Sequence, residues 1–148
     1  MCNFFSGIIK PKHAGVWFDV DLDSHTDIME KFSIRDTNKV GRVDFVKFEM
    51  TPKGDIFDHT RKNWNFRVDQ DFIPEWFDKK KAEEQAWKAL QTVFKARFII
   101  SNAAYPSISD GRWFVKDSTI EDVRGGTIKN VWGGTIKDVR GGTIEDVW

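Results

Sequence analysis

Cys2 is the first residue of this chain to ask about chemically. A small second residue favours removal of the initiator Met, which would leave a cysteine bearing both a free amine and a thiol. Such a terminus supplies nucleophile and base together. His25, in the run Asp23-Ser24-His25, is the histidine that could pair with that thiol across the fold as an imidazole base. The plainer reading is preferred for both. Cys2 is then a small buried residue at the start of a strand, and Ser24 is a helix N-cap within a capping box closed by Asp27. Side chains adjacent in sequence diverge, so Asp23, Ser24 and His25 do not read as a triad. His13 and His59 lie in polar surroundings and read as solvated.

The carboxylates Asp19, Asp21, Asp23 and Asp27 cluster, but they lack the glycine and the terminal Glu of a calcium loop. They read as a solvated edge leading into a helix N-terminus, where negative charge is favoured. No metal site and no cofactor are expected. Phosphate-cradling glycine loops, the His-Glu-x-x-His helix and the nucleophile elbow do not occur. A weaker ligand signal comes from Trp76, in Pro74-Glu75-Trp76-Phe77. A planar ligand could stack there, with Arg61, Arg67 or Arg112 nearby to donate to its phosphate.

The elements that would position these residues are read from periodicity. Asn3–Ile9 and Val16–Val20 suit strands and form a hairpin, with Lys10-Pro11-Lys12 between them. Ser24 opens a short helix whose apolar face is Ile28, Met29 and Phe32. Val43–Met50 is a strand that Thr51-Pro52-Lys53-Gly54 stops, and 63–69 alternates polar and apolar as a half-buried strand does. The best helix runs from about Asp78 to Phe98, with Ala86, Trp87, Leu90, Val93 and Phe94 at helical spacing. This order predicts an α+β domain over residues 1–110, an antiparallel sheet with two helices on one face.

From Arg112 onward the sequence changes character. Four blocks of eight residues follow one another, from Ser118, Gly126, Gly134 and Gly142, each built on Thr-Ile-(Glu/Lys)-(Asp/Asn)-Val. Self-similarity at a fixed period marks a repeat architecture. Two geometries fit. Bends at the Gly-Gly pairs and at Asp122, Asn130, Asp138 and Asp146 wind a short β-solenoid with Ile and Val inside. Hairpin turns at Gly-Gly make an antiparallel meander instead, at the cost of setting Asp138 against Glu145. The solenoid over 111–148 is favoured, because Ile and Val stand three apart in each block. A slower rhythm, Arg124, Trp132, Arg140, Trp148, makes sixteen residues one coil, with Arg stacked on one side and Trp on the other. An array ending on Trp148 lacks a polar terminal repeat, so its last rung invites another copy or a partner. Trp132, Trp148, Arg124 and Arg140 are the interface candidates.

Of 148 residues, 40% are hydrophobic and 13 are Phe, which fills a core and excludes general disorder. The 23 basic and 23 acidic residues cancel, which removes the electrostatic basis for non-specific nucleic-acid or membrane-surface binding. One cysteine excludes an internal disulfide framework. With no apolar run near the roughly 20 residues of a spanning helix and no leader, the expected location is the cytoplasm.

The opening Met1-Cys2-Asn3-Phe4-Phe5-Ser6, Asp23-Ser24-His25, Glu49-Met50-Thr51-Pro52, Pro74-Glu75-Trp76 before a helix and the glycine-rich terminal repeats resemble a family of small uncharacterised proteins of tailed phages and prophages. The resemblance spans nearly the whole chain. It implies an accessory protein acting in the host cytoplasm and carries over no catalytic residues. Three function classes follow. The leading one is a non-enzymatic protein that self-assembles or binds a host protein through its repeats. The alternatives are a nucleotide-binding sponge and a small enzyme with Cys2 as nucleophile.

Overall fold

The computed structural model describes residues 4–35 and 44–148. The chain divides into two compact units, Met1–Thr92 and Val93–Trp148.

In the first unit, β1 (Phe5–Ile9), β2 (Val16–Trp17), β3 (Val46–Pro52) and β4 (Trp64–Val68) form an antiparallel sheet in the order β2-β1-β3-β4. The expected hairpin is β1 with β2, registered Ile8 with Trp17 and Ile9 with Val16. Phe48 and Met50 alternate with Lys47 and Glu49 along β3, so the sheet buries one set completely and leaves the other half-buried. Helix α1 (His25–Lys31) contributes Ile28 and Met29 to a cluster with Ile8 and Phe45. Helix α2 (Lys79–Arg97) begins where the helical spacing places it. Its entry is capped by Asp78, whose Oδ1 accepts from the Lys81 N–H at 3.1 Å.

Several expectations fail locally. Ser24 occupies the N-cap position of α1 in an extended conformation, but its side chain makes no cap hydrogen bond, so the capping box is not formed. Phe32 lies one residue past α1 and is 38% exposed, because the helix ends before its face comes round. Pro52 does not stop β3; it is the last strand residue, paired with Trp64 beyond the final β1 partner Phe5–Met50. There its missing N–H breaks no bond to β1. The second strand is shorter than expected, and the proposed strand start at Val43 lies outside the described residues.

In the second unit, β5 (Phe98–Ile100), β6 (Tyr105–Ile108), β7 (Arg112–Val123), β8 (Thr127–Val139) and β9 (Thr143–Ile144) form one sheet. Each pairing is parallel: β5 and β6 with β7, β7 with β8, β8 with β9. Parallel pairing overturns the antiparallel meander. Thr119 pairs with Thr135 and Val123 with Val139, sixteen residues apart, which carries Lys137 to within 2.9 Å of Glu121 and Lys129 to within 3.1 Å of Glu145. The same register sets Asp122 beside Asp138, and Arg140 pairs with both carboxylates. Ile99, Ile108, Val115, Ile120, Val123, Ile128 and Val131 form the buried core, with Ile136 and Ile144 packed at its margin.

Corners fall at the glycine pairs and not at most of the Asx residues. Asp122, Asn130 and Asp138 lie inside strands without positive φ, while Gly133 and Gly134, also within β8, take positive φ together with Gly126 and Gly142. Gly134 shows why the residue must be glycine. Its φ is +88°, and a Cβ there would stand 2.1 Å from the Ser118 carbonyl oxygen. Of the four Asx positions only Asp146 has positive φ.

Candidate functional site

The densest group of metal- or proton-binding side chains among the described residues is His25, Glu49 and Asp69, in the first unit. One ligand atom from each lies within 4.8 Å of the others. The sheet register brings the two carboxylates together. Glu49 pairs with Arg67 across β3 and β4, and Asp69, two residues beyond Arg67, hydrogen-bonds through its N–H to the Lys47 carbonyl at 2.8 Å. Period-two alternation therefore sets Glu49 and Asp69 diagonally on the same face.

His25 reaches this face as the first residue of α1. The approach is tied down by Ser6, fully buried in β1, whose hydroxyl donates to the Asp23 carbonyl at 2.7 Å. His25 Nε2 lies 2.9 Å from the Phe48 carbonyl oxygen. A carbonyl has no hydrogen to give, so Nε2 carries the proton and donates. The other nitrogen, Nδ1, faces Asp69 Oδ2 at 3.3 Å. Asp69 Oδ1 is 3.5 Å from the exposed guanidinium of Arg67. The His25 side chain keeps 12% of its surface exposed and Asp69 keeps 37%, so the cluster is anchored on one side and open to water on the other. Such a group can hold a cation or share a proton between imidazole and carboxylate.

The residues singled out in the sequence fall as follows. Cys2 lies outside the described residues. Trp76 is half-buried and packs edge-on to His13 at 5.2 Å. Arg61 donates to the Trp64 carbonyl at 2.6 Å and to Glu83 at 3.1 Å, with its guanidinium over the Trp87 ring. Arg67 turns to Asp69. These cations therefore engage different partners. Arg112 belongs to the second unit, buried against Phe114. Arg124 and Arg140 both pair with Asp122, and Arg140 also with Asp138 at 2.9 Å, which holds its guanidinium above the ordinary value. Trp132 and Trp148 are 54% and 75% exposed.

The remaining histidines are not simply solvated. His13 accepts from the Asp78 N–H through Nε2 at 2.9 Å and donates through Nδ1 to Gln85 Oε1 at 2.9 Å. His59 is half-buried, and that burial pushes its imidazole below its ordinary value against the pull of Asp58 and Asp55.

Glu49 and Asp69 carried no sequence signal beyond standing at polar positions of alternating strands. Their meeting depends on the β3–β4 register, which local periodicity does not report. Comparison with protein-family models, with curated proteins and with solved structures returns no match.

Proposed function

We propose that the chain is a non-enzymatic interaction protein that self-assembles through the end of its second unit, an accessory role of the kind the phage-protein resemblance implies. In this reading residues 98–148 wind as a short solenoid of sixteen-residue coils. The parallel pairing of residues sixteen apart, the glycine corners and the shared Ile and Val core support it.

The observation that carries the assembly reading is the exposed edge at β9. β9 is the edge strand of its sheet, and the residues that follow it leave Val147 67% and Trp148 75% exposed. An edge presents unpaired backbone groups to any matching strand, and exposed Val and Trp gain from burial by about 25 cal/mol per Å². The occupant is a second copy of this chain. A net charge of zero removes long-range repulsion between copies. Two-fold pairing closes on itself and makes a dimer instead of a fibre.

Sedimentation equilibrium of the full chain tests this. A mass of twice 17.2 kDa is expected, falling to the single-chain mass when Val147→Lys and Trp148→Lys are combined with the circular dichroism unchanged. A wild-type chain that stays single up to high concentration, or a double variant that associates equally well, overturns the reading.

A further inference from the structure

We infer that His25, Glu49 and Asp69 form a binding site for a divalent transition-metal ion, a function that neither the cysteine nor the repeats of this chain supply. The site lies in the first unit and does not rest on the assembly reading.

Nε2 must carry its hydrogen, because its partner at 2.9 Å is the Phe48 carbonyl oxygen. The other nitrogen, Nδ1, stands 3.3 Å from Asp69 Oδ2. A cation between them, either the second proton of the imidazole or a metal ion, satisfies both atoms. The geometry is that of a metal-bound histidine, whose second nitrogen donates to a backbone carbonyl and so fixes both tautomer and ring orientation.

The spacing agrees. Donors bound at about 2.0–2.1 Å in a tetrahedron stand roughly 3.3 Å from one another, which is the Nδ1–Oδ2 separation observed. The Glu49 carboxylate lies within 4.8 Å of both other ligand atoms. Its side chain has three rotatable bonds, and a small swing brings it into the same sphere. Arg67 approaches Asp69 through Oδ1, which leaves Oδ2 to the site.

The donor set selects the ion. One imidazole nitrogen with two carboxylate oxygens suits Zn²⁺ or Mn²⁺, whereas Ca²⁺ and Mg²⁺ prefer oxygen alone. The two carboxylates offset the charge of a divalent ion. Three protein donors leave at least one position for water, the arrangement of reactive zinc sites more than of closed structural ones. The ion would also fasten the first turn of α1 to β3 and to the residue after β4. The acidic run Asp19, Asp21, Asp23 lacks this convergence. Asp19 is instead occupied by the Lys31 ammonium and by the Asp21 N–H.

The test is isothermal titration of the full, untagged chain with ZnCl₂ in a non-chelating buffer. One ion per chain is expected, with Glu49→Gln and Asp69→Asn each weakening binding at least about tenfold. Absence of binding up to about 1 mM, or binding that survives both substitutions, overturns the proposal. Should the variants lose their fold, Mn²⁺ added to the wild-type chain gives a second readout. Its paramagnetism should broaden first the amide signals of His25, Glu49 and Asp69. Broadening centred on Asp19–Asp23 or on the second unit contradicts the site.

Discussion

The two units solve the problem of burying apolar surface in opposite ways. In the first, every strand has its own sequence, and Phe5, Ile8, Phe48, Met50 and Trp64 are at most 1% exposed. In the second, the same letters recur every eight residues, yet their burial declines along the chain. Ile120, Val123 and Ile128 are fully buried and Val131 is 6% exposed, while Val139 is 51% and Val147 67% exposed. Valine contributes the same side chain at all four positions. What differs is whether a neighbouring strand lies on both sides. In the parallel sheet burial follows a residue's distance from the sheet edge, whereas in the antiparallel unit it follows from the residue and the face it occupies. At the edge of this sheet Val139, Val147 and Trp148 keep more than half of their surface exposed.

The contrast can be broken most severely at a corner. Gly134→Val adds a Cβ that meets the Ser118 backbone and forces a branched residue to φ +88°. A loss of at least about 3 kcal/mol is expected. Amide exchange should show protection lost in β7 and β8 and kept in β1 and β3; equal loss in both units would mean the units do not answer separately. A sharper test uses one letter at two rungs. Ile120→Ala removes a fully buried side chain and should cost about 2–5 kcal/mol in urea unfolding. Ile144→Ala, at the margin of the same cluster, should cost less than half as much. Equal costs would refute the dependence on rung.

The smallest effect distinguishes the units by pH. Burial holds His59 below its ordinary 6.5, so the unfolded chain binds the proton more readily than the folded one. Stability from this group is complete above about 6.5 and is lost as the pH falls below that value, until the folded-state pKa is passed. A modest drop in first-unit stability between about pH 7 and pH 5 is expected. His59→Gln should flatten it. An unchanged slope in that variant assigns the drop to another group.

Much of this was legible in local pattern. Helix α2 follows from apolar residues at helical spacing, and β4 from the alternation of Trp64, Phe66 and Val68 with Asn65 and Arg67. The sixteen-residue rhythm of Arg and Trp gives the register at which β7 meets β8. The strands Phe98–Ile100 and Tyr105–Ile108 were not legible, because they join the same parallel sheet without any of the repeat's letters. Only the apolar Ile99 and Ile108 enter its core. The His25 cluster was half legible. Asp23-Ser24-His25 marked the helix start, but Ser24 makes no cap bond. The partners of His25 lie 24 and 44 positions away, joined by a strand register that no local pattern encodes.

The claim that most needs testing is that the end of the second unit is covered by a second copy of the chain. Hydrogen exchange of residues 143–148, followed by mass spectrometry at dilute and at concentrated protein, measures it directly. The account predicts rapid exchange when dilute and slow exchange when concentrated, with β1 and β3 unchanged. Exchange at the same rate in both conditions would contradict it.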